Sequence, residues 1–291
     1  MADQDDFPDA TPDEPGYGEV AIQRYTDGAV TNSRDFVASE VPVALVFNGI
    51  SHAVMLATPL NLIDFALGFS FSEGIINQRS DVYDIEQFDH PGVGIEIHLT
   101  IASASFAQLK ERRRTMVGRT GCGLCGLESL TAFGAATETT MLAPAHNQTL
   151  KSDTDFTISE HALFAAFTAL QQVQEINQKT GSMHAAAWIN CIGEVLLVRE
   201  DLGRHNALDK LIGALMEQNL STAKGAVIMT SRASYELAQK TARARIPLLA
   251  TISAPTSLAI ELAQKSGLTL VGFVRNSSLV VYNNPERIQP S

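Results

Sequence analysis

Cys122 and Cys125 stand two residues apart inside Gly121-Cys122-Gly123-Leu124-Cys125-Gly126. Glycine on three sides removes steric cover and gives the backbone wide conformational freedom, so both sulfurs can be offered to a second molecule. Lys110, Arg112, Arg113, Arg114 and Arg119 precede the pair, and their positive field favours the thiolate, which is the reactive form of cysteine. Three chemistries use such a pair: metal ligation, dithiol redox exchange, and carriage of sulfur as a persulfide.

The residues by themselves leave all three open. A structural zinc site takes about four protein ligands. There is no second Cys-x-x-Cys, and His184, Cys191 and His205 are not spaced as a partner pair, so no metal ligands are expected. A thioredoxin-like pair belongs at an early strand-to-helix turn, whereas this one follows a basic helical stretch. Cys191 ends an apolar run and reads as a small core residue. His184 beside Trp188 reads as a core histidine. A zinc deaminase would need His-x-Glu upstream of its cysteine pair; His184-Ala185-Ala186 lacks the glutamate and follows the cysteines.

A second set of polar residues falls where apolar runs end: Glu200 to Asn206, including Gly203-Arg204-His205-Asn206, then Thr230-Ser231-Arg232-Ala233-Ser234 and Ser253-Ala254-Pro255-Thr256-Ser257. Hydroxyls and helix N-terminal amides suit phosphate oxygens, and Arg204 and Arg232 add guanidinium groups capable of bidentate contact.

The elements that must position these groups can be outlined. Residues 1–16 carry six acids and no Lys or Arg and read as a disordered tail. Residues 17–142 read as a small α+β half: strands around 20–22, 41–46 and 53–56, the last two joined by Asn48-Gly49 as a type I′ hairpin. A helix opens at Thr58-Pro59 and closes at Gly74, strands follow at 82–88 and 94–99, and a basic helix at 106–116 leads to the cysteine loop. Residues 143–155 read as a linker. Residues 156–291 alternate strands and helices, which implies an α/β domain with parallel strands. A capping box at Thr157–Glu160 starts a helix running to Gln178. Strands are expected at 185–190, 195–198, 226–230, 248–252 and 269–273, and helices at 207–218, 234–244 and 257–265.

Composition restricts the function class. Of 291 residues three are cysteines, too few for a disulfide framework, and a reducing cytoplasm is expected. A net charge of −11 argues against nucleic-acid binding. No signal peptide or membrane-spanning run is expected from the residue pattern.

Taken together the motifs resemble the FdhD family, sulfurtransferase accessory proteins of formate dehydrogenase. The resemblance is carried by Thr58-Pro59, Gly68-Phe69, Ser72-Glu73-Gly74, Arg119 to Gly126, His184-Ala185-Ala186, Asp201 to Lys210, Thr230-Ser231-Arg232, Ala254 to Ser257 and Gly272 to Arg275. It implies a cytoplasmic homodimer with a cytidine-deaminase-like α/β domain and a mixed sheet. It implies sulfur accepted from a cysteine desulfurase on Cys122, assisted by Cys125, and passed to the molybdenum bis-molybdopterin guanine dinucleotide before insertion into formate dehydrogenase. Phe273-Val274-Arg275-Asn276-Ser277-Ser278 matches the family's cofactor-binding stretch, with Arg232, Arg204 and His205 expected nearby. The alternative is a non-catalytic chaperone for the molybdenum cofactor, and a third reading is a zinc-stabilised binding module.

Overall fold

The computed structural model describes residues 16–114, 155–275 and 277–290. Cys122, Cys125, Arg119, Asn276, the acidic opening and the 143–154 stretch lie outside the described residues, as do the side chains of Arg112, Arg113 and Arg114.

The chain begins with a two-stranded antiparallel ribbon, β1 (Tyr17–Thr26) and β2 (Ala29–Ala38), turned at Asp27-Gly28. Next come β3 (Val41–Phe47), β4 (Ile50–Ala57), α1 (Leu62–Ser72), β5 (Val82–His90), β6 (Gly94–Ile101) and α2 (Ser103–Arg114). Four of these strands form a sheet in the order β4-β3-β6-β5. The β3–β4 turn is the expected Asn48-Gly49 pair, both residues at positive φ. Val43, Leu45, Phe47, Ile97 and Leu99 point from this sheet against Phe65, Ala66 and Phe69 of α1, all at most 5% exposed.

The remainder contains β7 (Ile158–Ser159), α3 (Glu160–Val173), α4 (Glu175–Thr180), β8 (His184–Ile189), β9 (Val195–Asp201), α5 (Arg204–Glu217) and β10 (Ala226–Met229). It continues with α6 (Tyr235–Arg243), β11 (Leu248–Thr251), α7 (Ser257–Ser266), β12 (Thr269–Arg275), β13 (Ser278–Val281) and β14 (Ile288–Gln289). Six strands form a mixed sheet in the order β13-β12-β11-β10-β8-β9, with β10, β11 and β12 parallel. Strand alternation sends Ala185, Ala187, Ile228 and Ala250 toward α3, and Trp188, Val227, Met229 and Leu249 toward α5, α6 and α7. Both faces are therefore covered, which explains the nearly continuous apolar strands.

Helix α1 lies directly on α5 through two glycines. A Cβ on Gly68 would overlap the Asp209 carbonyl oxygen, and one on Gly213 would overlap the Asp64 carbonyl oxygen. Only glycine allows the two backbones to approach this closely. Arg199 of β9 holds α1 as well, with its Nε 2.8 Å and its Nη2 2.7 Å from Asp64 Oδ2.

Several local expectations shift. Thr58 and Pro59 precede the helix rather than open it: α1 starts after Asn61, whose left-handed conformation turns the chain into the helix. The cap of α3 is Ser159, whose Oγ accepts from the Ala162 amide at 3.1 Å, not the Thr157–Glu160 pair. The helix expected to reach Gln178 breaks at Gln174. There the Glu200 carboxylate accepts the Ile176 and Asn177 amides at 3.1 and 3.0 Å and starts α4 afresh. Cys191 is exposed, not a core residue. It sits in the β8–β9 turn, where Asn190 Oδ1 accepts the amides of Ile192 and Glu194. The mixed α+β architecture itself agrees with the expectation.

Candidate anion-binding site at the carboxyl end of the large sheet

Strand direction gathers the polar loops. β9 is antiparallel to β8, and β8 is antiparallel to β10. Hence β9 runs with β10, β11 and β12, and all four carboxyl ends meet the amino end of β8 at one rim of the sheet. Ligands in open α/β sheets bind at such a rim.

The loops there are laced together. Ala233 and Pro255 form an isolated parallel bridge, and the Thr256 amide donates to the Ala233 carbonyl at 3.0 Å. The Phe273 amide donates to the Ser253 carbonyl at 3.3 Å, and Arg275 Nε donates to the Ile252 carbonyl at 3.2 Å. Thr230 clasps the start of β8: its Oγ1 accepts the Ala185 amide at 2.9 Å and its own amide donates to the Ala185 carbonyl at 3.1 Å.

The segment Asp201–Lys210, the most distinctive motif of the sequence, divides by function. Asp201, Asn206, Asp209 and Lys210 are at most 4% exposed. Lys210 Nζ lies 2.7 Å from Asp201 Oδ2 and donates to the Thr58 carbonyl at 3.0 Å. The Thr58 amide donates to the same Asp201 oxygen at 3.0 Å, while Asp201 Oδ1 accepts from the Gly203 amide at 2.8 Å and Asn206 Nδ2 at 3.0 Å. Asp209 pairs with Lys240 of α6 at 2.6 Å. These groups neutralise one another and join α5 to the N-terminal half, which leaves them unavailable to a ligand.

Arg204 and His205 occupy the first two positions of α5 and are partly exposed. His205 Nε2 lies 3.5 Å from Glu236 Oε2 and 3.4 Å from Ser234 Oγ. The hydrogen bond from His205 holds the Glu236 carboxyl well below the usual range, at about 2. Arg204 Nε is buried with no hydrogen-bond partner. His184, at the start of β8, is half-buried, and burial first, then the charges of Arg204 and His205, push its imidazole down.

The other expected binding residues lie elsewhere on the rim. Arg232 is exposed on the loop after β10. Phe273, Arg275, Ser277 and Ser278 are exposed where β12 turns into β13. Phe273 has φ 53, unusual for a bulky residue, at a break in strand register between Gly272 and Arg275. Val274 is 1% exposed and belongs to the core beneath α3, so its side chain is withdrawn from any ligand. The expectation that the Gly203–Asn206 loop lies near the Phe273 stretch needs correction. β9 and β12 share the same rim but are four strand positions apart, roughly 19 Å at the usual spacing. Ser234, one of the expected hydroxyls, belongs to the first group, which His184 and Glu236 complete although the sequence reading gives neither of them a binding role. Glu236 in the first turn after a serine N-cap was the available signal. Among the described residues no cluster of His, Cys, Asp and Glu is arranged to hold a metal ion.

Fold and rim together define a mixed α+β scaffold that presents cationic and hydroxyl groups at the carboxyl ends of its strands. Residues 38–289 match the FdhD/NarQ family. A Cupriavidus necator protein named sulfur carrier protein FdhD is 53% identical over 281 residues, covering 97% of this chain and 92% of its own. A Variovorax paradoxus protein of the same name is 52% identical, covering 88% of each chain. A crystal structure of a candidate formate dehydrogenase accessory protein from Desulfotalea psychrophila superimposes with a TM-score of 0.72 at 23% identity, covering 94% of this chain and 100% of that one. The chain belongs to the FdhD/NarQ family.

Proposed function

We propose that this protein carries sulfur to the molybdenum cofactor of formate dehydrogenase. The observation that carries the reading is the relationship to a sulfur carrier protein at 53% identity across 97% of the chain. The family match spans the Cys122–Cys125 loop.

The Cys122 thiolate attacks the terminal sulfur of a cysteine desulfurase persulfide. The persulfide S–S bond breaks, its electron pair leaves on the desulfurase thiolate, and Cys122 holds the sulfane sulfur as its own persulfide. A low thiol pKa raises the thiolate fraction available for this attack. For release as sulfide, the Cys125 thiolate attacks the inner sulfur of Cys122. The cysteine pair is oxidised to a disulfide as the sulfane sulfur gains two electrons, and a cellular dithiol reduces the pair again. The receiving substrate is bis-molybdopterin guanine dinucleotide, whose anionic phosphates suit the rim groups Arg204, His205, Arg232, Arg275, Ser277 and Ser278. The aromatic face of Phe273 is open to a planar ring, and the backbone of Phe273–Arg275 and of Ser277 and Ser278 supplies further polar groups. The protein acts as a homodimer in the cytoplasm. Among the described residues no helix is long and apolar enough to cross a membrane.

Activation of formate dehydrogenase in a strain lacking the endogenous carrier tests this function. The wild-type chain should restore activity and Cys122→Ser should not. Full restoration by Cys122→Ser would leave cofactor carriage without sulfur transfer as the better account.

A further inference from the structure

The rim group around β8 contains a titratable residue that the proposed sulfur chemistry does not use. His184 starts β8 and pairs in register with Asp201 of β9, three residues before Arg204 opens α5. Strand alternation puts it on the same face as Ala186 and Trp188, which pack toward α5, and the charges of Arg204 and His205 act on it. Two nitrogen-bearing side chains from the start of α5 thus converge with one from β8. The Arg204 Nε lacks a hydrogen-bond partner although buried, and an unsatisfied buried donor is costly unless a further group completes it.

We infer that His184, Arg204 and His205 form one oxyanion-binding site, which takes a phosphate or pyrophosphate group. Among the described residues, Glu236, Asp201 and Arg232 are the further charged groups to account for here. Glu236 of α6 is committed to His205. Asp201, at the end of β9, is committed to Lys210 and its neighbouring amides. Arg232 stands exposed on the adjoining loop. The Arg204 charge that disfavours protonation of His184 is offset when an anion arrives, so His184 takes up a proton as the anion binds. By linkage, affinity then falls as pH rises. This deepens the proposed function by assigning one phosphate-bearing part of its substrate to a subsite separate from Phe273–Ser278.

Calorimetric titration of the full chain with inorganic pyrophosphate and with guanosine diphosphate tests the site, comparing wild type, His184→Asn and Arg275→Ala from about pH 5.5 to about pH 7.5. The ratio of wild-type to His184→Asn affinity removes the ligand's own ionisation. That ratio should be about tenfold or more at the acid end and approach unity at the alkaline end. Equal pyrophosphate affinities of wild type and His184→Asn throughout, or no pyrophosphate binding by wild type, would overturn the subsite. Guanosine diphosphate weakened by Arg275→Ala alone would overturn it while leaving the proposed function standing. If His184→Asn does not fold, the wild-type imidazole is followed by NMR instead. Its titration midpoint should rise on adding pyrophosphate, and an unmoved midpoint would refute the inference.

Discussion

Lys210 and Asp201 form an ion pair 2.7 Å long in which neither side chain has any solvent exposure. Bulk solvent does not reach the pair to replace a missing partner, and Thr58 on the N-terminal half shares it from both its amide and its carbonyl. Removing one charge from a buried pair strands the other. Lys210→Met should therefore destabilise the protein by about 3–5 kcal/mol, and adding Asp201→Asn should recover part of that loss. Denaturant unfolding of the single and double variants measures it. Equal stability of wild type and Lys210→Met would show that the pair does not hold the halves together.

The two glycines between α1 and α5 make a second stability prediction. Gly68→Ala or Gly213→Ala must push the helices apart, because the added methyl meets backbone rather than a movable side chain. Overpacking of this kind costs about 1–3 kcal/mol, sometimes more. Gly181→Ala is a useful contrast. No atom lies near its Cβ, but its φ of 65 leaves a backbone penalty of about 1 kcal/mol. Thermal unfolding should rank both helix-contact variants below it, and the reverse order would contradict the packing account.

Glu236 sets a pH dependence. Its folded carboxyl is lowered from 4.5 to about 2, above all by the hydrogen bond from His205. A carboxyl depressed on folding contributes stability that is complete above its unfolded value and lost as pH falls through its folded one. The stability difference between wild type and Glu236→Gln should thus shrink from about pH 4.5 downward and vanish below about pH 2. A difference that grows on acidification would mean that Glu236 is not paired as a carboxylate.

Substrate binding gives a fourth prediction. Arg232→Ala and Arg275→Ala should each weaken guanosine diphosphate by about tenfold or more, since charge-assisted contacts contribute roughly 1.5–3 kcal/mol. Calorimetry showing unchanged affinity in both variants would remove the guanine dinucleotide from the turn after β12 and the loop after β10.

Much of the fold was legible because burial imposes a pattern. The α/β alternation, the Asn48-Gly49 turn and the apolar strands of the large sheet are all visible in the residue order. The second strand was missed because Thr31-Asn32-Ser33-Arg34-Asp35 lies in a largely exposed ribbon and shows no apolar alternation. The break at Gln174 was missed because its cause, Glu200, is distant in sequence. The division of the Asp201–Lys210 motif carried a usable signal. Asn206, Asp209, Lys210 and Gly213 recur at the spacing of one buried helix face, which marks them as packing residues, whereas Arg204 and His205 fall off that face. The separation of Arg204 from Phe273 depends on strand order, which local sequence does not encode.

Peptide mass spectrometry measures sulfur carriage most directly. The protein is incubated with a cysteine desulfurase and cysteine, alkylated to trap persulfides, and digested. The account predicts one added sulfur on the peptide containing Cys122, retained there in Cys125→Ser and absent from Cys122→Ser. Wild-type protein with no added sulfur at Cys122, while the desulfurase itself is persulfidated, would contradict it.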